Sequence, residues 1–477
     1  MRTLLTGFLL FMLASVSALA SSSDSRPPRY HLSVDKDLTV LSIRACFPDR
    51  VPEAIRAGSD AAAGLLIGAR IAGRDRGELP PPVGRRMALP PLDAGACIEY
   101  DVDLRGSPRD EGYEHAYRGH DWVMVGIHLW LWSPVGDPGP LDLSMNPADG
   151  LGFSAPWSRR DDGLYHLGAE RPRDWHGRVA IGRMARHQLN LPGGRLDVAL
   201  LGSELAAHEA LLMDWINANA IAVSTISGRF PAPHAQILVV PMGRSSAPVP
   251  WAQVLRGGGD GVHLFVDPGR DRGAFMRDWV LSHELSHLFH PTLFLRSRWL
   301  SEGLASYLQF VTRARSGIIT QRQAWEGLHA GFERGIRDVR RGHTLADLSE
   351  NMLSEQAYMR VYWSGAAVFL LADLELRRHS GGRQTLGDVL GRFRDCCLNH
   401  HEAWSGARFM SALDRVSGTD VFSSLFEKWS GSDRFPSLDT AYRYLGLRAR
   451  NARSLILRDD PYSAILRGLI MSPRSQP

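Results

Sequence analysis

The stretch LSHELSHLFHPTLFLRSRWLSEGLASY, residues 281–307, carries the reading on which the fold turns. His283 and His287 stand four apart, with Glu284 directly after the first. Glu302 is the only other carboxylate before Glu326. Residues 278–291 (DWVLSHELSHLFHP) place apolar side chains at Trp279, Val280, Leu281, Leu285, Leu288 and Phe289 and then meet Pro291. That pattern predicts a helix stopped by the proline. On a helix, residues i and i+4 share a face with Cβ atoms about 5–6 Å apart. Both imidazoles can therefore reach one Zn²⁺ at roughly 2.0–2.1 Å. Glu284 is turned about 100° from His283, so it flanks a metal without binding it. There a carboxylate can take the proton of an attacking water.

A catalytic zinc needs a third protein ligand and one open position. In a metzincin, Gly and His would follow His287 at three and six residues. Those positions hold His290 and Leu293, which excludes that arrangement. Glu302 opens the apolar run EGLASYLQF, residues 302–310, after a loop that can turn the chain back, and is the candidate third ligand. One Zn²⁺ per chain is expected on His283, His287 and Glu302, with His290 beside the ligands rather than among them. The competing reading is a helix whose His and Glu side chains simply face water.

The chain has 477 residues, 44% of them hydrophobic and 22% charged, as in a globular protein too long for one core. Its formal charge is +4, and nearly every cation is arginine, Lys36 and Lys428 excepted. No Lys/Arg-rich run stands out, which argues against a nucleic-acid partner. Residues 1–20 read as a signal peptide: Arg2, an apolar run from Leu4 to Val16, and SALA ending at Ala20. The alternative is an uncleaved anchor. No later segment is apolar enough to span a bilayer. The expected mature protein is exported, periplasmic or secreted, with no stable membrane insertion. In such a compartment Cys46 and Cys97, each in a strand-like stretch, are expected to form a disulfide. Cys396 and Cys397 are adjacent, and their state stays open.

The expected fold class is multidomain α+β. Residues 21–184 read as an antiparallel β-sandwich-like domain, with strands such as ACIEYDVDL and DWVMVGIHLWLW between turn-rich segments. From about Ala185 the texture changes: DVALLGSELAAHEALLMDWINANA has helical spacing, while HAQILVVPM and VHLFVDP are short buried strands. From Phe275 the chain reads as mostly helical, AYRYLGLRAR included, and residues 451–477 as a tail.

The motifs HELSHLFHP (283–291) and RWLSEGLASYLQF (298–310) resemble those of the thermolysin-like zinc peptidases, the gluzincins. Two further stretches make the chain look most like the glycyl aminopeptidase family within that clan. They are VYWSGAAVFLLADLELRRHSGG (361–382) and ALDRVSGTDVFSSLFEKWSGSD (412–433), followed by TAYRYLGLR (440–448). The resemblance implies a thermolysin-like α/β catalytic domain over 185–320 and a C-terminal helical domain over 321–450. It also implies that Tyr362 donates to the reaction's oxyanion, and that the substrate is a peptide or protein. Aminopeptidases of the clan grip the substrate amine with a glutamate on a Gly-rich edge strand. The matching stretch here, RGGGDGVHLFVD (256–267), has no glutamate and offers Asp260 instead. The family's common C-terminal peptide-binding PDZ module has no room after Arg448. Two other functions remain open: a catalytically inactive peptidase-like binding protein, and a zinc hydrolase acting on a non-peptide bond such as an ester or epoxide.

Overall fold

The computed structural model describes residues 26–74, 77–106, 109–110, 113–114, 116–136, 139–168, 177–256, 259–398 and 401–472. The expected signal peptide at 1–20, and Gly257 and Gly258 of the Gly-rich stretch, lie outside the described residues.

The N-terminal region is built on a six-stranded sheet. In spatial order its strands are Tyr165–Leu167, Leu141–Asn146, Arg29–Val34, Val40–Cys46, Cys97–Asp103 and Leu66–Ile71. A four-stranded sheet packs with it, ordered Gly152–Ser154, Arg178–Gly182, Trp122–Gly126, Ala116–Arg118. Strands with period-two burial, such as Tyr30, Leu32 and Val34 inward, form a core with Ile43, Tyr100, Trp130 and Trp132. The pairing is antiparallel except between Arg29–Val34 and Leu141–Asn146, which run parallel. Cys46 and Cys97 face each other in register and are disulfide-bonded, S–S 2.06 Å.

The central sheet has five strands, ordered Met184–Leu191, Gly194–Leu201, His234–Pro241, Gly261–Val266 and Trp251–Leu255. The middle pairings are parallel and the two outer ones antiparallel. One face, with Val198, Ile237, Val239 and Leu264, packs on helices Glu209–Ser224, Val280–Ser286 and Arg298–Arg315. The other face, with Ala199, Leu201, Leu238, Val240 and Phe265, packs on Trp122 and Met124 of the N-terminal region. Covered on both faces, these strands are apolar runs without alternation. That is why residues 197–201, expected in a helix, turn out to be a strand: a short buried run has no period to tell the two apart. The edge strand is Trp251–Leu255, while the VHLFV run lies one strand inward.

Helices dominate from Arg298 onward, and the two longest meet most closely. A Cβ on Gly303 would come within 2.3 Å of the Gly365 backbone, and one on Gly365 within 1.9 Å of Trp299 O. Only glycine at both positions lets helices Arg298–Arg315 and Tyr358–His379 touch backbone to backbone. That crossing brings Glu302, next to Gly303, against Tyr362, one turn before Gly365. The segment AYRYLGLRAR is only half helical: Asp439–Tyr444 is a helix, and Leu447–Asn451 pairs with Ser454–Leu457 as a hairpin. Residues 451–472 are folded rather than a tail, ending in helix Pro461–Met471 with Asp460 as its cap and Ile470 and Met471 buried. Cys396 and Cys397 are bonded to each other.

Candidate metal centre

Helix Val280–Ser286 is shorter than the spacing predicts and continues as a 3₁₀ turn, His287–Phe289. The physical reason is Pro291. The residue before a proline is driven out of the helical region, and His290 is extended at φ −142°, ψ 156°. His283 and His287 nevertheless share a face, with ring centroids 4.9 Å apart. Helix Arg298–Arg315 brings Glu302 to them. Its Oε2 lies 3.3 Å from His283 Nε2 and 3.6 Å from His287 Nε2. One donor atom from each of the three residues falls within 4.8 Å of the others, and among the described residues no other such group forms.

The outer hydrogen bonds set the tautomers. His283 Nδ1–H donates to Gln309 Oε1 at 2.9 Å, which leaves a lone pair on Nε2. His290 Nδ1–H donates to the Pro291 carbonyl at 2.7 Å, so its Nε2 is an acceptor. That Nε2 takes the His287 Nδ1–H at 3.1 Å, with Ser301 Oγ 3.2 Å from His287 Nδ1 and 3.3 Å from His290 Nε2. Both ligand histidines thus turn Nε2 toward the carboxylate. Arg256 holds the turn that carries this relay, donating from Nη1 to His287 O at 2.5 Å and to His290 O at 3.2 Å. Two imidazoles and one carboxylate, each imidazole oriented through its far nitrogen, form a donor set that suits Zn²⁺.

The charges agree with this arrangement. Burial pushes the Glu302 pKa up, but His287, His283 and the Tyr362 hydroxyl outweigh it and hold the carboxyl down to about 2. Burial holds His287 well below its ordinary value. In His283, burial is overridden by the Glu302 bond and the Glu284 and Glu302 charges, and its pKa rises. Glu284 is half-buried beside the group without joining it. Burial, opposed by His283, raises its pKa to about 7. The Tyr362 ring lies parallel to His283, centroids 5.9 Å apart, and its hydroxyl acts on the Glu302 carboxylate. Burial and the neighbouring carboxylates push the Tyr362 hydroxyl pKa well up, so it remains a donor.

The structure brings together His283, His287, Glu302, Glu284 and Tyr362. Asp260 is buried at the start of the inner strand, where its carbonyl accepts from Gln236 N, and its charge acts on Arg256. Gln309, Ser301 and Arg256 are functional neighbours that the sequence reading did not single out. Gln309 could have been found, since it stands seven residues after Glu302 and so shares its helix face. Arg256 gives no sequence signal, because its contacts span more than thirty residues.

Sequence comparison finds no match, either among protein-family models or among curated proteins. Solved structures do match. An aminopeptidase N family protein from Idiomarina loihiensis is 14% identical, with TM-score 0.55, covering 94% of this chain and 76% of that one. An M1 zinc metallopeptidase from Deinococcus radiodurans is 16% identical, with TM-score 0.51, covering 87% of this chain and 95% of that one. A mutant form of the Deinococcus radiodurans peptidase, bound to a Tyr-Ser-Ala substrate, is 14% identical, with TM-score 0.50 over the same shares. The chain therefore has the multidomain α+β fold of the M1 zinc aminopeptidases, in keeping with the gluzincin resemblance of its motifs.

Proposed function

We propose that this chain is an exported zinc metallopeptidase, aminopeptidase-like, that hydrolyses peptide bonds. The observation that carries the proposal is the convergence of the His283 and His287 Nε2 atoms on the Glu302 carboxylate, with Glu284 and Tyr362 beside them. His283, His287 and Glu302 would hold the metal, and zinc bound there supplies Lewis acidity toward the scissile carbonyl and the attacking water.

The protein's own groups do the rest. Glu284, beside the donor set without joining it, takes the water proton and returns it to the leaving amine. Tyr362, kept protonated, donates its O–H to the oxyanion. The parallel His283 ring and the Gly303–Gly365 crossing fix where that hydroxyl points. Export is supported by the leader-like composition of residues 1–20, and no described helix is long and apolar enough to cross a membrane.

The test is hydrolysis of amino-acid arylamides and of a mixed peptide library, with and without chelator, followed by zinc replacement. Chelator-sensitive cleavage restored by zinc supports the proposal. An inert, zinc-loaded protein would point to a binding function, and turnover of esters or epoxides alone to different chemistry at the same centre.

A further inference from the structure

A crevice of ≈ 570 Å³ opens between segment 153–165 of the N-terminal region and the strands Met184–Leu191 and Gly194–Leu201. It lies on the sheet face turned toward the N-terminal region: Arg186 pairs with Ala199, which packs on Trp122 and Met124. Four arginines, Arg159, Arg160, Arg186 and Arg195, line it against two aspartates, Asp161 and Asp197.

The pairing within the crevice is uneven. Asp197 is taken up by Arg195 at 3.3 Å and by His234 at 2.8 Å. Arg160 is taken up by Asp142 at 3.3 Å and Asp162 at 2.6 Å. Arg159 and Arg186 have no carboxylate partner among the described residues. Arg159 donates to Gly163 O at 3.0 Å, and Arg186 to Phe153 O at 3.5 Å. A guanidinium has five N–H donors, so one carbonyl leaves most of each unused. Both cations also act on one hydroxyl: burial raises the Tyr165 pKa, and Arg159 and then Arg186 pull it back.

Two guanidiniums and a phenol O–H lining one concave space form a donor array for an oxyanion, which can accept bidentate arginine bonds. The volume falls in the range of small-ligand pockets, well beyond what a halide needs. The crevice is also remote from the candidate metal centre. Strand Met184–Leu191 and edge strand Trp251–Leu255 are at opposite edges of the sheet, four spacings or roughly 19 Å apart. We propose that this crevice is a second binding site, which takes an oxyanion-bearing ligand, a carboxylate or a phosphate, away from the metal centre.

The test is calorimetric titration of the full chain with inorganic phosphate and with succinate at constant ionic strength. Saturable binding of one ligand per chain is expected. Binding of phosphate alone marks a phosphate ligand and of succinate alone a carboxylate one, and either supports the site. R159Q/R186Q should weaken that binding by roughly tenfold or more, the loss expected for hydrogen bonds to a charged group. The charge-matched R448Q/R450Q, on the distant hairpin, should leave it unchanged. Tyr165→Phe keeps the ring packed edge-on against Phe153, centroids 5.4 Å apart, and should also weaken binding. No saturable binding of either probe, or equal binding by R159Q/R186Q, would overturn the proposal. Equal binding is also what anion capture at the metal centre would give.

Discussion

Replacing Glu302 with Gln keeps the side chain's size and removes its charge, and its effect on the metal-free protein can be sized from the structure. The carboxyl is held down from 4.5 to about 2, mainly by His287 and His283 acting against burial. A shift of that size corresponds to about 3 kcal/mol of interaction between the carboxylate and its surroundings. The group is largely buried, its side chain 17% exposed, so solvent screening removes little of this. A depressed acid stabilises the fold above its unfolded pKa and loses that contribution as pH falls through its folded value. Chelated wild type should therefore exceed chelated Glu302→Gln by about 3 kcal/mol at pH 7 and by less than half of that at pH 3. Urea unfolding of both proteins at a series of pH values reads this directly. In the same variant, competition with a chromophoric chelator should show zinc affinity lower by roughly tenfold or more. A pH-independent difference would refute the electrostatics, and wild-type zinc affinity in Glu302→Gln would refute the ligand assignment.

Three other outcomes follow from named contacts. Tyr362→Phe removes one hydroxyl, and kcat should fall by about 10²–10³-fold with little change in KM; wild-type turnover would leave Tyr362 a packing residue. Gln309→Leu removes the acceptor of His283 Nδ1–H, and zinc affinity measured by competition should drop roughly 10–100-fold; an unchanged affinity would mean His283 needs no such anchor. Opening the Cys46–Cys97 bridge with Cys97→Ser should lower stability by roughly 2–5 kcal/mol in denaturant melts; a melt equal to wild type would show that the bridge contributes nothing measurable.

The metal group was legible because its members are close in sequence and carry distinctive donors. His283 and His287 share a helix face at any reasonable helix length, and Glu302 was the only carboxylate within reach of the turn. Other features depend on partners that lie far along the chain. Arg256 meets His287 and His290 only because the edge strand runs past the motif helix. Gly303 and Gly365 gain their meaning from a helix crossing that no local pattern announces. Residues 197–201 were misread because a strand buried on both faces loses its alternation. The helix Pro461–Met471 carries an ordinary start signal in Asp460 and Pro461.

The most direct test of the central claim is Glu284→Gln, with zinc content and peptide turnover measured on the same preparation. Glu284 stands beside the donor set without belonging to it, so the variant should bind one zinc per chain with wild-type affinity. Its turnover should fall by roughly 10²–10⁴-fold, the loss expected when a general base is removed. A zinc-loaded Glu284→Gln protein that cleaves peptides at the wild-type rate would contradict the mechanism proposed here.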